Sequence, residues 1–371
     1  MGSQRSDVSG SALRLRKLGK HISENALEGV ILVPGPNLCY YTGVKSLLLE
    51  RLFLFFVPRD GDPHLVAPTF EAGPYQRLPF NIVVHQWDDG VGPSPALHKL
   101  VNGLDLKGKW GVEGGVPYRF IHLLLNHARP ELEDAEPILQ GIREKKEAKE
   151  IGLLQKAATI LSRSFQRFPD IMKAGMTELE LARKLSEVIY SNGAELVGDM
   201  LVQSGALAAD PHHLASRRKL KRRESIVIDA ACTYSGYYAD ITRTFMIGHD
   251  RKFEGYYQKL LEAQENAIAQ SRAGATVGSV DEAARSHLRN HGLDEFFIHR
   301  TGHGLGLEVH EAPYIIPAGS EVLQPSMVFT IEPGVYLPGK LGIRIEDNIA
   351  AAEHGARVLT RRLPKEFGWW R

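Results

Sequence analysis

Cysteine is nearly absent from this chain: Cys39 and Cys232 are the two in 371 residues. That excludes a disulfide framework and suits a protein of a reducing compartment, held together by its core. A surplus of charge of either sign is missing too. With 45 Lys and Arg against 44 Asp and Glu, the net charge is +1, which gives no electrostatic case for nucleic acid or for a membrane surface. No apolar run is long enough to span a bilayer and no signal peptide is recognisable, so the expected location is the cytoplasm. Repeats of solenoid length are lacking as well. What is present is enough chain for two domains with sizeable cores.

The opening MGSQRSDVSGS is polar and rich in Gly and Ser, and is expected to be unstructured. Residues 13–25 read as a helix, GVILVP as a buried strand leading to a Pro-Asn turn before CYYTG, and RLFLFFVPRDGDPHLVAP as a hairpin turning at Asp60-Gly61. NIVVHQW and KWGVEGG read as strands with PALHKLVNGL helical between them, and this alternation predicts an α/β domain over 1–140. The charged run from REKKEAKE onward starts a long helix with a solvated charged face and marks a border near residue 141. The second domain, 141–371, has helix starts with the capping-box pattern at Thr177–Glu180 and Ser279–Glu282, and C-terminal glycines at Gly193 and Gly292. Pattern alone gives α+β for the whole. The basic run Arg217–Arg223 is read as a solvated loop, because no aromatic residues interleave for base stacking. Trp369 and Trp370 are expected to pack on a neighbouring surface or subunit, and Cys232 to be a small buried strand residue.

Five residues carry chemistry: Asp229 in IVIDAAC, Asp240 in YYADITRTF, His303 in HRTGHGLGLEVHE, Glu332 in FTIEPGVY and Glu346 in GIRIEDN. Four carboxylates and an imidazole make a hard, oxygen-rich donor set that suits two divalent ions of the manganese, cobalt or zinc kind. Brought together without cations, four negative charges would repel by several kcal/mol. Two ions held close together can activate water at neutral pH, so the set reads as a two-metal hydrolase. Asp229 and Asp240 lie on β-like runs joined by TYSG, and Glu332 and Glu346 repeat the arrangement around Pro338 and Gly339. This hints at an internal duplication. His303 sits among glycines that let the backbone crowd a metal.

These motifs, in this order, resemble the pita-bread metallopeptidases: methionine aminopeptidase, aminopeptidase P, prolidase and creatinase. The resemblance covers the whole chain and implies a pita-bread catalytic domain preceded by a creatinase-type N-terminal domain. It implies that Asp240 and Glu346 bridge two metals, that Asp229 chelates one, and that His303 and Glu332 ligate the other. It also implies two substrate-side histidines, His310 in His310-Glu311-Ala312-Pro313 and His212 rather than its neighbour His213. Many members read Asp-x-Gly at the first ligand where this chain has Asp229-Ala230-Ala231, a small-for-small change that leaves the ligand untouched. His299 is expected to be structural or to support the ligands from behind.

The expected cofactors are two divalent ions, manganese in the first place and zinc or cobalt otherwise. The expected catalytic groups are His212 and His310, which hydrogen-bond a developing oxyanion or the leaving side, and Glu332, which relays a proton. Arg344, two residues before Glu346, is expected to neutralise the carboxylates or to grip a substrate carboxylate. Retention of every ligand disfavours creatinase, and the N-terminal domain disfavours methionine aminopeptidase. The expected activity is that of an Xaa-Pro dipeptidase, a homodimer acting on proline-containing dipeptides or short peptides, with aminopeptidase P as the alternative. A non-catalytic binding protein on the same fold is the remote one. A dipeptidase must hold a free carboxylate, and longer prolidases do so with an Arg between the positions of His310 and Glu332. That stretch has no basic residue here, so His212, Arg344 or Arg51 is expected to substitute.

Overall fold

The run Gly29–Leu32 is apolar at every position after its glycine, and such a run is stable as a strand only when both faces are covered. In the computed structural model, which describes residues 10–198 and 200–370, it is strand β1, buried throughout. Two units separate along the chain, Met1–Arg143 and Glu144–Arg371. In the first, β1 is joined by β2 (Leu54–Pro58), β3 (His64–Pro68), β4 (Val83–Trp87), β5 (Lys109–Val112) and β6 (Glu131–Asp134) in a sheet of order β4-β3-β2-β1-β5-β6. β1, β2 and β3 pair antiparallel; the β3–β4, β1–β5 and β5–β6 pairs are parallel. Gly61 turns the β2–β3 hairpin with a positive φ of 98°, where a side chain would be strained.

Two expectations for this unit need correction. The Pro-Asn turn is a helix, Pro36–Thr42, with Pro36 in its first turn, where its missing N–H costs nothing. The polar opening is shorter than expected: residues 1–9 lie outside the described residues, and Ser11 already begins the helix Ser11–Glu24.

In the second unit, β9 (Ser225–Tyr234) and β10 (Tyr237–Met246) form a hairpin of two ten-residue strands, closed by Ser235 and Gly236 with φ of 51° and 85°. Two successive positive-φ residues fit the twist of a tight hairpin. Before it in the chain, β7 (Leu196–Val197) and β8 (Leu201–Ser204) also pair with β9. A second sheet has the order β12-β11-β13-β16-β17, from β11 (Gly302–Gly304), β12 (Glu311–Ile315), β13 (Val328–Ile331), β16 (Asp347–Ala352) and β17 (Gly355–Val358). Between β13 and β16 the chain leaves this sheet for a separate hairpin, β14 (Gly334–Leu337) with β15 (Leu341–Arg344), turned at Gly339. The helix Ala148–Phe165 shares a core with the β9–β10 hairpin: Leu154, Ala158 and Leu161 are buried with Ile226, Ile228 and Ile241.

The capping box at Thr177 forms as expected, with Thr177 and Glu180 exchanging bonds of 3.2 and 2.7 Å. Gly193 and Gly292 follow their helices with positive φ. The box at Ser279 does not form. The helix there is capped three residues earlier and starts at Val277, and Thr276 is the cap that accepts from Ser279. The charged run is also split, since one helix ends at Glu144 and the next starts at Ala148 with Glu147 as its cap. Its charges are not all solvated: Lys146 is buried in an ion pair of 2.7 Å with Glu311. Within Arg217–Arg223, Arg218 is paired with Glu224 and Leu220 enters the core. Trp369 and Trp370 pack on Phe245 of the same unit, and Cys232 is buried, with burial raising its thiol pKa to about 12.

Candidate metal centre

Strand periodicity delivers the first two carboxylates. On β9 the even positions Ile226, Ile228, Ala230 and Cys232 belong to the core, so Asp229 and Ala231 face the other way, into a cavity of about 820 Å³. On β10, Ala239, Ile241 and Phe245 go to the core while Asp240 lines the cavity. Thr242 stands opposite Asp229 in the ladder.

The other two carboxylates occupy the joints where the chain steps off its sheet. Ile331 pairs with Asp347 and Gly334 with Arg344, leaving Glu332 and Glu346 between ladders. Each backbone amide is instead satisfied elsewhere, Glu332 by the Thr301 carbonyl at 2.8 Å and Glu346 by that of Thr242 at 3.0 Å. This ties the second sheet to β10 and turns both side chains into the cavity. His303 on β11 completes the set. Gly302 and Gly304 beside it are needed for close approach, since a Cβ on either would collide with the carbonyl of Thr330 or Ala312.

The donor atoms converge. His303 Nε2 is 3.1 Å from Glu332 Oε1 and 3.9 Å from Asp240 Oδ2. Three sets have all their ligand atoms within 4.8 Å of one another: Asp229, Asp240 and Glu346; His303, Glu332 and Glu346; Asp240, His303 and His310. Asp240 and Glu346 each belong to two of them. One oxygen of each, Asp240 Oδ1 and Glu346 Oε1, is buried with no hydrogen-bond partner among the described residues. An orphaned buried carboxylate oxygen costs several kcal/mol unless a cation meets it. The donor set therefore fits divalent ions.

Electrostatics agree with that fit. Asp240 and Glu346 are pushed well above the ordinary carboxylate range, first by burial and then by the neighbouring carboxylates. Glu332 moves the other way, to about 2: burial raises it, but the hydrogen bond and charge of His303, together with the charges of His299 and Arg344, outweigh burial. Arg344 is the counter-charge. Its guanidinium donates to Asp229 Oδ2 at 2.5 Å, to the Tyr336 hydroxyl at 2.7 Å and to Thr242 Oγ1 at 3.1 Å. Thr242 in turn donates to Glu346 Oε2 at 2.7 Å.

The histidines divide clearly. His212 lines the cavity, whereas His213 is 3.3 Å from the fully buried Glu178. His310 lies edge-on to His303, ring centroids 4.1 Å apart, and burial, then the charges of His303 and Arg300, lower its pKa to about 4. His299 contacts the Arg300 carbonyl and the Tyr336 hydroxyl, and so supports Arg344 from behind. Arg51 is engaged within its own unit by Asp89 at 2.9 Å and Glu50 at 2.7 Å. Sequence reasoning missed Tyr336, Thr242, Arg300 and the Lys146–Glu311 pair that anchors the segment bearing His310. None has a local signature, and Lys146 was hidden inside a charged run.

Comparison with known proteins gives the family of this fold. Residues 152–353 match the model of metallopeptidase family M24, and residues 14–145 match the creatinase/prolidase N-terminal domain. A probable dipeptidase PepE of Mycobacterium tuberculosis is 37% identical over 99% of this chain and 98% of its own length. An Xaa-Pro dipeptidase of Pyrococcus furiosus is 31% identical over 94% of this chain and 97% of its own. Among solved structures, a prolidase from Thermococcus sibiricus superposes with a TM-score of 0.90 at 34% identity, covering 97% of this chain and 98% of that one. The chain belongs to metallopeptidase family M24, with a creatinase/prolidase N-terminal domain.

Proposed function

We propose that the protein is an Xaa-Pro dipeptidase that uses two divalent ions, manganese in the first place. The observation that carries this reading is the pair of buried, unpartnered carboxylate oxygens on Asp240 and Glu346 at the overlap of the ligand sets. Asp240 and Glu346 would bridge the ions, with Asp229 on one and His303 and Glu332 on the other. Ions held there lower the pKa of water and polarise a peptide carbonyl. The similarity to dipeptidases and prolidases over nearly the whole chain supports the choice of substrate. So do the apolar walls of the cavity, where Leu196, Leu214 and Ile298 offer surface to a proline ring and a small side chain.

The chain's own groups then have separate tasks. His212 and His310 donate hydrogen bonds to the oxygen that becomes negative or to the departing side. Glu332 accepts the proton of the attacking water and passes it to the leaving nitrogen. Arg344 fixes Asp229 and supplies its counter-charge, the neutralising role among the two expected of it, because it is buried with each of its three guanidinium nitrogens already bonded to Asp229, Tyr336 or Thr242. Metal analysis combined with proline release from Ala-Pro tests the reading. Two ions per chain and turnover that chelators abolish are expected; chelated protein that turns over Ala-Pro fully would refute it. Removal of the first residue from longer Xaa-Pro-Yaa peptides in preference to Ala-Pro would make aminopeptidase P the activity instead.

A further inference from the structure

A dipeptide bound for cleavage places its free carboxylate one residue beyond the scissile bond, within about 4 Å of it along the chain. The group that holds it must stand in the wall of the same cavity. Two arginines line that cavity, Arg300 and Arg344. Arg344 is buried, and its nitrogens are committed to Asp229, Tyr336 and Thr242. The remaining candidates, His212 and His310, are imidazoles, which offer no planar bidentate fork for a carboxylate as a guanidinium does.

Arg300 is placed differently. It lies three residues before His303, in the extended stretch that leads into β11, and is half-buried. Its guanidinium lies over the ring of Tyr314, 4.6 Å from the centroid, and makes no hydrogen bond or ion pair with any of the described residues. Tyr314 is itself set by the sheet, directly across the β11–β12 ladder from His303. Stacking on an aromatic face fixes the plane of a guanidinium while leaving its N–H edge open. An oriented, partly desolvated cation with no counter-anion, in the wall of a peptide-binding cavity, is complementary to a carboxylate.

We propose that Arg300 binds the C-terminal carboxylate of the substrate and so sets the preference for dipeptides over longer peptides; this rests on the Xaa-Pro dipeptidase reading above. The cation then comes from the N-terminal side of His303, a position different from the segment between His310 and Glu332, where no basic residue occurs. A longer peptide, or a dipeptide amide, presents no charge at that point and gains nothing from Arg300.

The test uses the full-length, metal-loaded protein with Ala-Pro, Ala-Pro amide and the tripeptide Ala-Pro-Ala. Arg300→Met should lower kcat/KM for Ala-Pro by about 10- to 100-fold, mostly through KM, the range for one charge-assisted contact. The ratio of activity on Ala-Pro to activity on its amide should fall by a similar factor, and Arg300→Lys, which keeps the charge, should restore part of it. An Arg300→Met protein that retains the wild-type ratio overturns the assignment, as does equal loss on all three substrates. Wild-type protein that releases no proline from Ala-Pro overturns the dipeptidase reading and this inference with it. Wild-type protein that prefers Ala-Pro while Arg300→Met keeps that preference in full overturns the role of Arg300 alone.

Discussion

Glu346 and Asp347 are adjacent, both buried, and opposite in every electrostatic respect. Asp347 is surrounded by donors: Arg243 at 2.8 Å, Thr360 at 2.7 Å and Gln264 at 2.9 Å. Burial alone would raise its pKa, but Arg243 and Lys365 hold it below the usual carboxylate value. Glu346 has one donor, Thr242, and an oxygen with none among the described residues; burial and the nearby acids push it well above that value. One residue of strand rotation separates a carboxylate that serves the fold from one left free to serve an ion. The lesson is that burial of an acid says little about its role. The count of partners for its oxygens decides.

The contrast is broken most directly at the centre itself. Asp240→Ala or Glu346→Ala should lose both ions and nearly all activity, read by metal content and by proline release from Ala-Pro. Retained ions in either variant would show that the bridging positions lie elsewhere. The next largest effect belongs to groups that touch substrate without being needed for the ions. His310→Ala and His212→Ala should each keep full metal content while turnover falls by roughly two to four orders of magnitude. Loss of metal from His310→Ala would instead make it a ligand, as its place beside Asp240 and His303 would allow.

On the structural side, Asp347→Ala leaves the buried guanidinium of Arg243 without its anion, and should cost about 3–5 kcal/mol of stability in urea denaturation. Glu346→Gln in metal-stripped protein should cost nothing measurable, because burial and the neighbouring acids already disfavour the charged form that Gln cannot adopt. Equal losses in the two variants would erase the distinction between them.

The smallest effect comes from a third buried acid, in the N-terminal unit. Glu113 accepts from the Val33 amide at 3.0 Å, and its other oxygen has no partner among the described residues. Burial raises its pKa from 4.5 to about 7. A carboxyl whose folded-state pKa is raised binds its proton more tightly when folded. Its stability contribution is therefore intact below about 4.5 and lost as pH climbs through 7. Glu113→Gln removes that dependence. Its Tm should rise by a few degrees at pH 8 and hardly at all at pH 5, an effect of roughly 2 kcal/mol. A pH-independent change would mean that Glu113 is not protonated in the folded state.

Much of the centre is legible in the sequence. Asp229, Asp240, His303, Glu332 and Glu346 stand in local motifs whose chemistry depends on residue type and order, and the β9–β10 turn declares itself in Tyr234-Ser235-Gly236-Tyr237. The expected doubling of the hairpin holds only in part. Glu332 and Glu346 do flank a hairpin turned near Gly339, yet they sit at joints between two ladders and not within one. A break in strand pairing depends on which partner competes for the backbone, and a run of β-forming residues does not show it. The Ser279 capping box fails for a similar reason, because Thr276 offers an earlier cap with the same geometry.

By itself, then, the sequence determined the ligand types, their order along the chain and the hairpin that carries the first two, since strand periodicity and donor chemistry are local properties. The tertiary structure decided how those groups are used. It bound Arg344 to Asp229, 115 residues away, and Lys146 to Glu311, 165 away. It turned His213 toward Glu178 and left His212 facing the cavity. It also seated Arg300 on Tyr314 without an acid. Each of these depends on which distant strand a residue meets, and that meeting is settled by the packing of the whole core.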